Sequence, residues 1–222
     1  MRSKTEGTLA APVILRLQYA LTAAAGALDV FCVTRLGGAF ASVITGNLVQ
    51  VGSAIVRPDV RLAARCAIAV AAFAAGVACG AVMLRRVQPG WTRLTTLIMG
   101  IEFLLIAAVA VLWQGTPTRR AIDVMLGLAS LAMGLQSAAT VTSGLPGAAT
   151  TYFTGTLTTA MRTMVTESQG LARGSRSALR LVALLAGAVA GGVVLKLAPA
   201  WSPALPALII GTVAMFSIRR GR

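Results

Sequence analysis

The chain of 222 residues is 57% apolar and only 12% charged, whereas a soluble domain is roughly 25% charged. Apolar runs of about 18 residues or more recur along it, which excludes a soluble globular protein and indicates a polytopic membrane protein. The net charge of +14 would suit nucleic acid. The arginines, however, flank apolar runs, where they orient membrane helices, so no nucleic-acid partner is expected.

The first half contains three clear spans and one interrupted apolar segment. A polar tail precedes the first span, and Gly37-Gly38 turns the chain into the interrupted segment, 39–56, which carries Thr45-Gly46-Asn47. Arg57-Pro58 ends this segment because proline cannot continue a helix. The spans are 16–35, 62–84 and 94–113.

The second half repeats this order after a link at 114–117. Its interrupted segment runs to about residue 166 and carries Thr154-Gly155-Thr156. Threonines are frequent between Thr150 and Thr158, so this segment is the less apolar of the two. The spans are 121–142, 178–197 and 203–218.

Glycines recur in the same order at offsets of 108, 109 and 111 residues: Gly26 and Gly134, Gly46 and Gly155, Gly76 and Gly187. We therefore predict two homologous halves, 1–115 and 116–222, within one membrane domain. A bilayer offers no water to the backbone, and the alternating pattern of barrel strands is absent. The predicted fold is an all-α, polytopic membrane helix bundle with six clear spans and two broken helices centred on the Thr-Gly pairs.

The topology depends on whether the interrupted segments cross the membrane. If they re-enter, six spans form two inverted repeats; if they cross, eight spans form two parallel repeats. The distribution of Lys and Arg slightly favours eight crossings. Both arrangements describe a multi-pass protein of the bacterial inner membrane with its N- and C-termini in the cytoplasm.

The Thr-Gly segments are the predicted substrate site. Glycine weakens a helix, and threonine and asparagine offer competing hydrogen bonds. Helices broken at matching places in two repeats mark midplane sites in transporters, whereas the alternative is tight packing at glycine. Tyr152 and Gln136 are weaker candidates. The predicted solute-binding residues are Thr45, Gly46, Asn47, Gln50, Thr154, Gly155 and Thr156.

Two acids, Asp29 and Glu102, lie within predicted spans. A charged carboxylate at the bilayer centre costs about 2.5–3.5 kcal/mol on insertion scales, so such residues usually face a cavity or a partner. We predict proton or ion coupling at both. The alternatives are an ion pair of Asp29 with Arg16 or Arg35, and a hydrogen bond from Glu102 to a neighbouring helix.

Several motifs occur in the order seen in the YoaK family of small bacterial membrane proteins. They are Gly26-Ala27-Leu28-Asp29, Phe40 and Thr45-Gly46-Asn47-Leu48, then Met133-Gly134-Leu135-Gln136 and Thr154-Gly155-Thr156-Leu157-Thr158. The chain resembles that family over nearly its whole length, although Arg35 is a local departure. The resemblance implies about six helices and supplies no activity, because the function of the family is uncharacterised.

The sequence shows no catalytic motif, so we do not expect an enzyme. It has no His, and Cys32, Cys66 and Cys79 do not have metal-ligand spacing, so no metal or cofactor is expected. The sequence predicts a secondary transporter or channel for an unknown small solute; the alternative is a non-transporting scaffold or accessory subunit. The lipid bilayer is the expected partner, and the small-residue helix faces could also support a homo-oligomer.

Overall fold

The computed structural model describes residues 9–144, 153–166 and 170–220, with the backbone alone for 153, 154, 156 and 170–173. Eight α-helices and one 3₁₀ turn, Pro199–Trp201, make up most of this described part. The helices are α1 (Ala11–Arg35), α2 (Ile44–Val56), α3 (Val60–Leu84), α4 (Arg93–Trp113), α5 (Arg119–Thr142), α6 (Phe153–Thr166), α7 (Gly170–Leu197) and α8 (Ala204–Arg220).

Six of these helices are long and apolar enough to cross a membrane, counting α8 together with the 3₁₀ turn before it. The other two, α2 and α6, have 13 and 14 residues. At 1.5 Å per residue each extends about 20 Å, which is short of a hydrocarbon core about 30 Å thick. The predicted all-α class is confirmed, and the six apolar helices indicate a multi-pass membrane protein.

Polar caps fix where several helices begin. The Asp59 side chain accepts the backbone N–H of Leu62 at the start of α3, and Thr92 and Thr95 form a reciprocal capping box at the start of α4. Such caps satisfy N–H groups that have no partner in the first helical turn. They thereby set the level at which the inward-facing side chains of each helix lie.

Two long interfaces join the first half of the chain to the second, and both pair helices that run parallel. Contacts between α1 and α7 ascend together in both helices: Gln18 with Arg180, Ala23 with Gly187, and Ala27 with Gly191. Contacts between α3 and α5 do the same: Arg65 with Asp123, Gly76 with Leu131, and Gly80 with Ala138.

The remaining contacts complete the set of directions. α1 and α5 are antiparallel, because Gln18 bonds Ser143 and Leu21 bonds Gln136. α4 is parallel to α1, since the Trp113 ring packs edge-on against Phe31 near the ends of both helices. Hence α1, α4 and α7 run one way, and α3, α5 and α8 run the other. We name the side where α1 begins face A and the opposite side face B.

These directions make α2 and α6 re-entrant. α1 ends on face B and α3 begins there, so the first re-entrant segment, residues 36–59, enters and leaves on face B. α5 ends on face A and α7 begins there, so the second re-entrant segment, residues 143–169, belongs to face A. The preference for eight crossings is therefore wrong. The helix after the Thr-Gly-Asn motif is too short to span and folds back against α3.

Glycines allow the long interfaces to close at matching places. Gly26 on α1 lies against the backbone of Leu184 and Ala188 on α7, and Gly134 on α5 lies against the backbone of Phe73 and Val77 on α3. The two glycines are 108 residues apart, and their two pairs of partners are each 111 apart. A side chain at either glycine would collide with the opposite backbone, so only glycine permits this approach.

Candidate functional site

The first re-entrant segment is held at depth by Asp29. One carboxylate oxygen accepts the backbone N–H groups of Ala41 (2.8 Å) and Ser42 (2.9 Å), and the other accepts the Ser42 hydroxyl (2.5 Å). Asp29 is buried, six residues before the end of α1, which places it roughly 9 Å inside face B. Its carboxylate supplies acceptors to an irregular backbone that lies away from water.

Asn47 fixes the same irregular stretch from the other side. Its amide oxygen accepts the backbone N–H of Phe40 (2.9 Å), and its amide nitrogen donates to the Phe40 carbonyl (2.8 Å). Asn47 is fully buried, whereas Thr45 is exposed and Gly46 packs against Val43 and Phe40. The amide of Asn47 is therefore already occupied within the chain.

The Thr45-Gly46-Asn47 motif lies in the first turn of α2, and the chain is irregular only before it, at 36–43. The predicted break within a helix is therefore misplaced for this segment. Gly46 is regular helix, and the irregular stretch precedes it because Asp29 and Asn47 bind its backbone groups. The motif marks the start of a half-length helix rather than the interruption of a long one.

The N-terminus of α2 reaches about the middle of the bundle. α2 and α3 form an antiparallel hairpin, in which the Cys66 thiol donates weakly to the side-chain oxygen of Gln50 (3.7 Å). Counting back along both helices from this pair places Ile44 level with about residue 72 of α3. That level is one helical turn from Gly76, where α3 packs against Gly134.

This N-terminus has no side-chain cap: Val43 precedes the helix and contributes none. Within the described part of the chain, the backbone N–H groups of Thr45 and Gly46 also have no acceptor. The first N–H groups of a helix carry partial positive charge and seek acceptors. α2 therefore directs open hydrogen-bond donors toward the centre of the bundle.

The second re-entrant segment is described in part. α6 packs on α7, where Gly174 lies against Met164 and Ala160, and the partly buried Gly155 lies in its first turn. The side chains of Thr154 and Thr156, like the whole of Tyr152, fall outside the described residues. Solute binding by this motif stays a prediction.

Glu102 lies apart from both motifs, on α4. It is fully buried, and neither carboxylate oxygen has a hydrogen-bond partner in the described structure. Its neighbour Phe103 packs against Gly211 of α8, so Glu102 lies near the mid-length crossing of these helices. The hydrogen bond to a neighbouring helix that the sequence left open as an alternative is not found within the described residues.

Two buried hydroxyls, those of Thr22 on α1 and Ser130 on α5, also lack a partner in the described structure. They stand 108 residues apart, the offset that separates Gly26 from Gly134. Hydroxyls elsewhere in the helices bond back to a carbonyl three or four residues earlier: Thr34, Thr140, Thr142, Thr212 and Ser217. Sequence reasoning missed the unpaired two, although their shared offset was a readable signal.

A polar network near face A was also missed. The Gln18 amide nitrogen donates to the Ser143 hydroxyl (2.8 Å), and its oxygen accepts from the Arg180 guanidinium (2.8 Å). Gln18, Thr22 and Asp29 are spaced i, i+4 and i+11, so they lie on one stripe of α1. A charge within the apolar span at Arg180 was the signal in the sequence.

The predicted site residues thus separate into two groups. Asp29 and Asn47 come together around the irregular stretch, with Gln50 farther along the α2–α3 hairpin, whereas Glu102 lies on another helix. No group of three metal-ligating side chains occurs among the residues that the structure describes.

Comparison with known proteins gives a family and no activity. One family, described as a protein of unknown function (DUF1275), matches residues 17–216, a range that takes in both halves and both re-entrant segments. No curated protein and no solved structure is a significant match. By the extent of that match, the chain belongs to the DUF1275 family.

Proposed function

We propose that the protein is a secondary transporter of a small solute in the bacterial inner membrane, coupled to protons through Glu102. The observation that carries this proposal is the pair of re-entrant half-helices that enter from opposite faces. In transporters, such discontinuous helices bring backbone groups to midplane solute sites, and inverted repeats supply the two alternating openings. Irregular backbone at membrane depth is tolerated where it is buried or lines a cavity.

An inverted duplication accounts for the arrangement. Each half consists of a long helix, a re-entrant helix and two further spans, and the halves run in opposite directions. The glycine contacts recur at offsets of 108 and 111 residues, which supports the descent of both halves from one ancestral unit, 1–115 and 116–222. The likeness to the YoaK family supports the same arrangement within the DUF1275 family.

Glu102 is the coupling residue in this proposal. An ionised carboxylate without a partner is costly in a low-dielectric interior, so the side chain is expected to carry a proton in the closed form. Opening toward either face would admit water and allow the proton to leave. Asp29 has three donors that already satisfy its carboxylate, so we assign it and Asn47 to positioning the first re-entrant segment.

Orientation follows from the arginines and lysines. Arg85-Arg86 and Arg219-Arg220 end helices on face A, where the polar N-terminal tail also begins. Face A carries the majority of the basic residues, which supports a cytoplasmic position for this face and both termini. The alternative of a scaffold loses its main motive, because the glycine faces of α3 and α7 are covered by α5 and α1.

Uptake of radiolabelled solutes into proteoliposomes tests the proposal. The panel comprises acetate, inorganic phosphate, sulfate, methylammonium and glycerol, under an imposed proton gradient. We expect at least one solute to accumulate above the level of protein-free liposomes and to be lost when a protonophore collapses the gradient. Glu102→Gln should exchange solute without accumulating it. Uptake at the protein-free level throughout contradicts transport, and full accumulation by Glu102→Gln contradicts the coupling role.

A further inference from the structure

We infer that the N-terminus of α2 and the Ser130 hydroxyl together bind a small anion, the substrate class of the transporter proposed above. The inference rests on that proposed function and adds the chemistry of the solute. It depends on two independent observations: open backbone donors at the start of α2, and a fully buried hydroxyl without a partner in the described structure.

Ser130 lies at the level of the α2 N-terminus. α1 and α5 are antiparallel, with Gln18 opposite Ser143 and Leu21 opposite Gln136. Continuing this pairing along both helices places Asp29 opposite about residue 130. Asp29 binds Ala41 and Ser42, which directly precede α2.

Ser130 also points into the appropriate sector. One stripe of α5, which includes Gly127 and Gly134, contacts α3, while Gln136 and Ser143 contact α1. Ser130 lies between these two stripes, along the shorter way around the helix. α2 occupies the same wedge, because it packs on α3 and its leading stretch is bonded to α1.

The donors in this wedge select an acceptor-rich, negatively charged ligand. The start of a helix favours anions through its aligned N–H groups and its dipole. The nearest acid, Asp29, already has its charge spread over three donors. Arg180, buried beside Gln18, adds a positive charge on the stripe of α1 that carries Thr22.

Thr22 is the matching group in the other half. It stands at the offset of 108 residues from Ser130, on the α1 stripe shared with Asp29, and its hydroxyl is likewise buried without a partner in the described structure. The inverted arrangement places it in the face A half of the bundle, the side from which α6 enters. We assign Thr22 the same anion-donating role there, so that the solute meets one hydroxyl from each half.

The same proteoliposomes test the inference by comparing uptake of acetate, phosphate and sulfate with uptake of methylammonium and glycerol. At least one anion should be taken up, and Ser130→Ala and Thr22→Val should each reduce its uptake about tenfold or more, the loss expected for one charge-assisted hydrogen bond. Ser217→Ala and Thr140→Val remove buried hydroxyls that bond within their own helices, and should leave uptake unchanged.

The other outcomes separate the two proposals. Uptake of methylammonium or glycerol without any anion overturns the anion assignment and leaves transport standing. Anion uptake that is unaffected in both Ser130→Ala and Thr22→Val, with thermal stability like the parent, overturns the assigned site. Failure of every solute to enter overturns transport itself and the inference with it.

Discussion

The polar groups around the irregular stretch and those elsewhere in the bundle interior are equally buried and oppositely paired. Asp29 and Asn47 make five hydrogen bonds to residues 40–42, whereas Glu102, Thr22 and Ser130 have none in the described structure. Fully paired groups specify a backbone path. Unpaired ones weaken a fold, so their retention indicates work done on something outside the chain. The difference separates positioning residues from the residues assigned to the solute and the proton.

Replacing Asp29 by Ala should have the largest effect on stability. The change leaves three donors buried without their acceptor, so we expect a loss of about 3 kcal/mol or more in the free energy of unfolding. Unfolding in mixed micelles with increasing SDS measures it. Asp59→Ala removes one exposed cap bond and should cost about 1 kcal/mol. Equal losses in the two variants would break the comparison.

Asn47→Ala should cost less, about 2 kcal/mol, because it removes two hydrogen bonds to one residue, Phe40. Gln50→Ala is the matched control on the same helix, since its described contact is a weak thiol interaction. The same titration with SDS compares the two. A loss in Gln50→Ala as large as that in Asn47→Ala would show that position on α2, and not pairing, determines the cost.

Glu102→Met should change stability in the opposite direction. The substitution keeps the length of the side chain and removes two buried oxygens without partners, so we expect a gain of about 1 kcal/mol. Glu102→Gln retains polar atoms and should show no such gain. A marked loss of stability in Glu102→Met would mean that the carboxyl is paired, and would place it with Asp29.

Ser130→Ala should have the smallest effect. Its hydroxyl has no described bond to lose, so stability should stay within about 0.5 kcal/mol of the parent or rise slightly. Ser217→Ala breaks a bond to the Val213 carbonyl and should cost about 0.5–1 kcal/mol. Thermal denaturation in detergent distinguishes the two, and a larger loss in Ser130→Ala would contradict its unpaired state.

Much of the fold could be predicted from the sequence, because apolar run length and glycine offset are local properties. The spans, the helical class and the position of the short segments follow from them. The crossing number could not be predicted, because it depends on which face α3 and α7 return to, and the basic residues biased that choice only weakly. Contacts such as Gln18 with Arg180 settle it, and they join residues far apart in the chain.

The site was harder to predict than the fold. The Thr45-Gly46-Asn47 motif is conspicuous because it starts a helix at depth, which requires an amide at Asn47 to hold Phe40. Thr22 and Ser130 are inconspicuous, since a single hydroxyl in a span normally bonds to its own helix. Only the partners in three dimensions show that these two do not.

Accessibility of introduced cysteines tests the central claim, re-entry without crossing. In a background without Cys32, Cys66 and Cys79, Arg35→Cys precedes α2 and Arg57→Cys follows it, both at exposed positions. Arg85→Cys on face A and Gln114→Cys on face B calibrate the two sides. In oriented vesicles with a membrane-impermeant maleimide, Arg35→Cys and Arg57→Cys should react from the same side as Gln114→Cys. Labelling of Arg35→Cys and Arg57→Cys from opposite sides would contradict the account.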